Sequence, residues 1–237
     1  MGVEYRQYYY AHGRRAKTEI QMKITGAIFD MDGTLLNSMD YWAIAASEYL
    51  RGLGITPFDS EDRHFLEDGM KVWYESAVKN HGLTASFEET GAGIYKIMDK
   101  YYANDVCLKD GVCEMLERLK AHGVKMCIAS ATDKEYVKKI LTRLGIMDYF
   151  SAIFTSKEVG KGKRFPLIYQ VAMEYLGTAP ETTYVFEDAH YAICTCHNNG
   201  INVVGVYDKN VYVSEDEIKS LCNYYLDKDS KYKFDIE

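Results

Sequence analysis

Proline is nearly missing. Three residues in 237 are too few for a polyproline ligand, a proline-rich spacer or a collagen-like chain. Basic residues are also in deficit: 28 Lys and Arg stand against 35 Asp and Glu, a formal net charge of −7. A surface of that sign repels polyanions, so no nucleic-acid partner is expected. A small anionic substrate stays compatible, because one local cluster of positive groups overrides the global sign. Long apolar runs are lacking too, and none approaches the roughly 18 residues that cross a bilayer, so no membrane partner is expected. The opening segment, MGVEYRQYYYAHGRRAKTEIQ, has no apolar core of a secretory signal, and Arg6 stands where a myristoylation signal needs Ser or Thr. The expected location is cytoplasmic. Residues 1–21 show no core pattern and read as an N-terminal extension.

What is present suits a folded globular chain. Hydrophobic residues make up 47% of it, enough apolar surface for a core. Six cysteines fall at 107, 113, 127, 194, 196 and 222, several inside apolar stretches, as reduced and buried thiols do. Cys194-Thr195-Cys196-His197 is not read as a zinc site. No second Cys or His pair follows at zinc spacing, and on a helix positions two apart face different ways. The 21 tyrosines cluster at Tyr8–Tyr10, Tyr101-Tyr102 and Tyr224-Tyr225. Without a basic groove beside them they are taken as packing residues rather than a stacking platform for bases.

Ile24–Phe29 is a short apolar run that opens into the polar turn Asp30-Met31-Asp32-Gly33-Thr34, the pattern of a buried strand and its carboxyl end. From Asn37 to Tyr102 apolar residues recur at three- and four-residue steps, punctuated by glycines, with no strand pattern. After Asp110-Gly111 helices alternate with strands: helix 111–122, strand 125–129, helix 134–144, strand 152–154, helix 166–176, strand 183–186, helix 189–199 and strand 202–206. Residues 214–226 read as a further helix, and the last residues as polar. This alternation predicts an α/β fold, a doubly wound parallel Rossmann-like sheet with helices on both faces. The helical stretch 37–103 is then a small insertion after the first strand, and residues 22–36 and 104–237 form the core domain.

In such a sheet, reactive groups belong beyond the carboxyl ends of the strands. Asp30 and Asp32 follow the first strand, Ser130 the second, Lys161 and Lys163 lie beyond the third, and Glu187 and Asp188 end the fourth. Carboxylates crowded at one crevice repel each other unless a cation binds, and an all-oxygen set with few ligands suits Mg²⁺. A lysine would neutralise phosphate charge, while a serine hydroxyl and turn amides would bind its oxygens. One carboxylate is then left to attack phosphorus and another to move the leaving-group proton. Each piece alone has a plainer explanation. A strand-end Asp often fixes a turn, Ser130 and Thr132 could cap the next helix, acids favour helix starts, and lysines are usually solvated. Those explanations leave open why all of the pieces fall at one end of one sheet.

The same residues carry a family resemblance. Asp30-Met31-Asp32-Gly33-Thr34-Leu35-Leu36-Asn37-Ser38 resembles the first motif of the haloacid dehalogenase superfamily. Ser130 in Ile128–Thr132, Lys163 in Gly162–Pro166 and Glu187-Asp188 in Val185–Ala189 resemble the other three, in order. The third motif departs from the family pattern at Arg164, where proline is usual, and Lys161 competes with Lys163. Asn37 replaces a frequent Asp and is expected only to serve its turn. The resemblance implies Asp30 as nucleophile and Asp32 as general acid and base. It implies Mg²⁺ held by Asp30, the Asp32 main chain, Asp188 and Glu187, the last as a ligand or as a neighbour of the ligands. Gly33, Thr34, Ser130, Ala131 and Lys163 would bind the phosphoryl group. The insertion resembles the small helical cap of the β-phosphoglucomutase and phosphoglycolate phosphatase branch, with Trp42, Met70, Lys71 and Trp73 as candidates for its inner face.

The expected activity is Mg²⁺-dependent hydrolysis of a small phosphorylated metabolite, a sugar phosphate or a phosphoglycolate-like ester, through an aspartyl-phosphate. Asp32 argues against dehalogenation, since dehalogenases of the superfamily lack that second aspartate. A phosphosugar mutase is the first alternative. Mutases carry a histidine where this chain has Tyr41-Trp42, and a cationic cap segment where it has Leu66-Glu67-Asp68-Gly69-Met70-Lys71. The alternative from another class is a non-catalytic ligand sensor on the same fold.

Overall fold

The computed structural model describes residues 21–58, 63, 65, 66 and 69–237. The expectation for residues 1–20, and that for Glu67 and Asp68, lie outside the described residues. Among the described residues no helix is long and apolar enough to cross a membrane.

Six parallel strands form the main sheet: β2 (Gly26–Phe29), β3 (Lys125–Ser130), β4 (Ile153–Thr155), β5 (Thr183–Glu187), β6 (Val203–Val206) and β7 (Tyr224–Leu226), in the order β4-β3-β2-β5-β6-β7. Helices cover both faces, so the central strands are buried on both sides instead of alternating. β2, β5 and β6 are buried at every position. The chain turns outward from β2 first towards β3 and later towards β5, which puts a topological switch point, where such sheets bind ligands, at the end of β2. Register completes the arrangement. Phe29 pairs with Ile128 on one side and Phe186 on the other, and its ring stacks on Phe186 at 4.5 Å. Asp30, Ser130 and Glu187 therefore leave the sheet at the same end.

Helices α1 (Met39–Gly52), α2 (Met70–His81) and α3 (Phe87–Asn104) lie between β2 and β3 in the chain. Helix α3 begins with a capping box. Ser86 Oγ accepts from the Glu89 amide at 3.1 Å, and Glu89 accepts from the Ser86 amide at 2.8 Å. The buried faces of these helices, including Trp42, Leu50, Ile94 and Met98, join one continuous apolar cluster with Phe29, Leu116 and Ile140. The later helices α4 (Val112–Ala121), α5 (Lys134–Arg143), α7 (Leu167–Leu176) and α8 (His190–Asn198) fall where the alternation predicts them. A one-turn helix, α6 (Ser156–Val159), is an addition.

The tail differs from expectation. The helix predicted over 214–226 stops at α9 (Glu215–Leu221), and Tyr224–Leu226 is instead the sixth strand. Asn223 makes the change. Its amide donates to the Val203 carbonyl at 2.9 Å and its Oδ1 accepts from the Val203 amide at 2.8 Å, which fastens the chain to β6 just before two strand-favouring tyrosines. The last residues are not simply polar either. Tyr232 and Phe234 are buried, and β8 (Asp235–Ile236) pairs in parallel with β1 (Gln21–Met22).

Candidate active site

Asp30 continues the sheet by one bond, its amide donating to the Phe186 carbonyl at 3.0 Å. The chain then turns back on itself, with the Leu35 and Leu36 amides both donating to the Met31 carbonyl at 2.9 and 3.0 Å. Gly33 takes φ +84° inside this turn and lies so close to Asp188 that a Cβ would fall 2.2 Å from Asp188 Oδ2. Only glycine fits there without strain.

Lys163 arrives from the loop after α6 and is buried at 3% exposure. Its ammonium donates to Asp30 Oδ1 and, at 2.8 Å, to Glu187 Oε2. Tyr169 donates to the same Glu187 oxygen at 3.1 Å, and the Ala189 amide reaches Glu187 Oε1 at 3.4 Å. The competing Lys161 is exposed, with its ammonium 5.2 Å from the Phe165 ring centroid. Arg164 is also exposed and lies over the Tyr191 ring at 4.6 Å. Asn37 does not serve its own turn; its amide nitrogen reaches the Leu108 carbonyl at 3.4 Å.

Asp30, Glu187 and Asp188 offer carboxylate oxygens that all lie within 4.8 Å of one another. One ammonium cannot balance three buried carboxylates. Burial, then Glu187, push the Asp30 carboxyl up to about 7 against the pull of Lys163. Burial, then Asp30 and Glu187, hold Asp188 well above the usual carboxylate range. Burial alone would lower Lys163, but Asp30 and Glu187 outweigh it and leave its pKa raised. A hard, all-oxygen, over-charged set of this kind fits a divalent cation such as Mg²⁺. Among the described residues no such group forms at Cys194-Thr195-Cys196-His197, where Cys196 is buried and Cys194 Sγ lies 3.4 Å from His190 Nε2.

The other expected residues divide into two sets. Asp32, Ser130 and Ala131 line the cavity in front of Asp30, a space of about 700 Å³. Gly33 and Thr34 do not line it. Thr34 is fully buried, and its hydroxyl donates to Asp188 Oδ1 at 2.8 Å. Of the residues expected on the inner face of the insertion, Trp42 and Met70 line the cavity. Lys71 is exposed, and Trp73 is buried against Phe65.

Sequence reading missed the groups that hold these side chains. Tyr102 donates to Asp32 Oδ1 at 2.7 Å and Thr132 to Asp32 Oδ2 at 2.8 Å, so both carboxylate oxygens accept from hydroxyls. Thr132 was visible only as a possible helix cap. Tyr232 donates to the Thr34 carbonyl from a backbone with φ 57°.

The chain is similar to several known proteins. A validoxylamine A 7′-phosphate phosphatase of Streptomyces hygroscopicus subsp. limoneus is 28% identical over 76% of this chain and 84% of its own. Hexitol phosphatase B of Escherichia coli K12 is 26% identical over 70% of this chain and 76% of its own. The solved structure of CbbY from Rhodobacter sphaeroides in complex with phosphate superposes with a TM-score of 0.76 at 20% identity, covering 88% of this chain and 95% of that one. It shares the fold. Residues 27–206, the span that runs from inside β2 to the end of β6 and holds every strand-end carboxylate described above, match one family throughout, and the chain belongs to the haloacid dehalogenase-like hydrolases.

Proposed function

We propose that this chain is a Mg²⁺-dependent phosphatase of small phosphorylated metabolites that works through a covalent phosphoryl-Asp30. The observation that carries the reading is the buried group of Asp30, Glu187 and Asp188 around one lysine, at a cavity of about 700 Å³. The phosphatase names of the relatives support it. Residues 37–103 are taken as the cap that closes over the cavity and excludes water.

Each residue has a task in this scheme. Asp30 attacks phosphorus, the bond from phosphorus to the leaving oxygen breaks, and Asp32 gives that oxygen its proton. Water then attacks the phosphoryl-Asp30, Asp32 takes the proton back, and the bond from phosphorus to Asp30 breaks to release phosphate. Ser130, the Ala131 amide and Lys163 hold the phosphoryl oxygens. Asp30 and Asp188, with the Asp32 main-chain carbonyl, would hold Mg²⁺, which when bound offsets the charge gathering on the transferring group. Glu187 orients Lys163, and Thr34 orients Asp188. The mutase reading is not favoured: among the described residues lining the cavity the cations are Lys157, paired with Asp133 at 2.8 Å, and Lys163.

The purified protein should hydrolyse para-nitrophenyl phosphate with Mg²⁺ and lose that activity in chelator. Beryllium fluoride with Mg²⁺, mimicking the phosphorylated aspartate, should raise the melting temperature by roughly 5 °C or more. Absence of both turnover and shift would instead support a ligand sensor.

Tyr102 is a positioning residue in this scheme, since its hydroxyl is bound to Asp32 and its ring packs edge-on against Trp42 outside the reacting atoms. Tyr102→Phe should lower kcat about 10-fold for esters of poorly departing alcohols, which need the proton. It should leave turnover of para-nitrophenyl phosphate, whose phenolate departs unaided, within about twofold. Equal losses on both esters would show that Tyr102 serves packing alone.

A further inference from the structure

We infer that the preferred substrate carries its phosphate on a flat, uncharged ring system, not on a polyol, a carboxylic acid or a second phosphorylated centre. The inference rests on the phosphatase reading, because Asp30 must fix where phosphorus sits. The alcohol part of the ester then fills the rest of the cavity, whose volume of about 700 Å³ is that of a site for a ligand well larger than phosphate.

The wall facing Asp30 is built of rings. Trp42, Phe65, Phe87, Tyr95 and Tyr136 line it together with Met70. Trp42 meets Tyr95 edge-on at 5.3 Å and lies nearly parallel to Phe65 at 6.1 Å, while Tyr95 stacks on Tyr136 at 5.0 Å and 15°. Trp42, Tyr95 and Tyr136 come from α1, α3 and α5 and Phe65 from the segment between α1 and α2, so the rings brace one another across separate elements and present a preset slot. A planar group entering such a slot gains stacking and loses little, because the wall is already ordered.

Three polar groups near the wall already have partners. Both Asp32 oxygens accept from Tyr102 and Thr132. The Tyr95 hydroxyl interacts with Thr132 and the Asp133 backbone. The Asp133 carboxylate holds Lys157. A polyol chain would bring several hydroxyls into this space, and each one buried without a partner gives up its bonds to water uncompensated.

Charge narrows the choice further. Lys163 is bound to Asp30 and Glu187, and Arg164 opens instead on an adjoining cleft of about 310 Å³. Glu88 stands on the same wall and repels a carboxylate or second phosphate, whereas it would accept an N–H or O–H from the rim of a ring. The chemistry described is therefore a monoester with one dianionic end and an aromatic or heteroaromatic body.

The test compares esters of alcohols of similar intrinsic reactivity, with Mg²⁺. Benzyl phosphate and 2-phenylethyl phosphate should show kcat/KM at least about 30-fold above sorbitol 6-phosphate, 2-phosphoglycolate and fructose 1,6-bisphosphate. Trp42→Ala and, as a partly exposed position less tied to folding, Phe87→Ser should each narrow that ratio by about fivefold or more. A polyol, carboxylate or bisphosphate ester that matches the ring esters would overturn the inference and leave the phosphatase reading standing. So would wall variants that lower every ester alike. No turnover of any ester, with no shift by beryllium fluoride, would overturn both.

Discussion

Asp30→Asn is expected to lower phosphatase turnover by about 10⁴-fold or more while leaving the protein at least as stable. The amide has the shape of the carboxylate and can still accept from Lys163, so packing at this 5% exposed position is kept. What is lost is the charge, and with it the nucleophile. Stability should not fall, because the native site already disfavours the charged form: burial and Glu187 raise the Asp30 pKa to about 7. The sign follows from linkage. A carboxyl whose folded pKa lies above its unfolded value contributes stability at pH below the unfolded pKa, and that contribution is lost as pH rises through about 7. Without divalent cation the wild-type melting temperature should accordingly fall between about pH 5 and pH 8, and the Asn variant should fall less. Turnover and melting curves for both proteins decide it. Wild-type turnover in the Asn variant would end the covalent mechanism.

Gly33→Ala should raise the Mg²⁺ concentration needed for half-maximal activity by about 10- to 100-fold, although Gly33 itself offers no ligand side chain. The new methyl would sit 2.2 Å from Asp188 Oδ2 and 2.9 Å from Met39 Cγ, on a backbone already at φ +84°. Asp188 has no easy way to yield. It is 3% exposed, and Thr34 holds its other oxygen at 2.8 Å. The conformational penalty alone is about 1 kcal/mol, so the fold should survive while the carboxylate is displaced. Calorimetric titration of Mg²⁺ reads that displacement without reference to turnover. An unaltered affinity would mean that Asp188 keeps its place and that the turn moves instead.

The strand-end carboxylates were legible in the sequence because each follows a short apolar run, and the parallel register carries such positions to one edge. Lys163 over Lys161 needed coordinates, since two residues of loop separate a buried ammonium from an exposed one. Thr34 was legible as part of the motif but not in its orientation, which depends on Asp188 at 154 positions' remove. Tyr102 left no local mark. It closes an amphipathic helix as any packing tyrosine would, and its bond to Asp32 spans 70 positions. The tail misled for a physical reason as well. Ile218, Leu221, Cys222 and Tyr225 fall at three- and four-residue steps, and only Asn223, through its two bonds to Val203, shows where the strand takes over.

The bond from Tyr232 to the Thr34 carbonyl joins segments 198 positions apart, and the amide of residue 237 donates to Met22 at 3.0 Å just upstream of the same region. Closing so long a span is entropically slow and brings its return only at the end. During synthesis the turn that presents Asp30 gains this bond only from a stretch translated 198 positions later. One hold on the turn beside Asp30 is thus a late event of the chain's biogenesis, made only once its C-terminal segment has been synthesised.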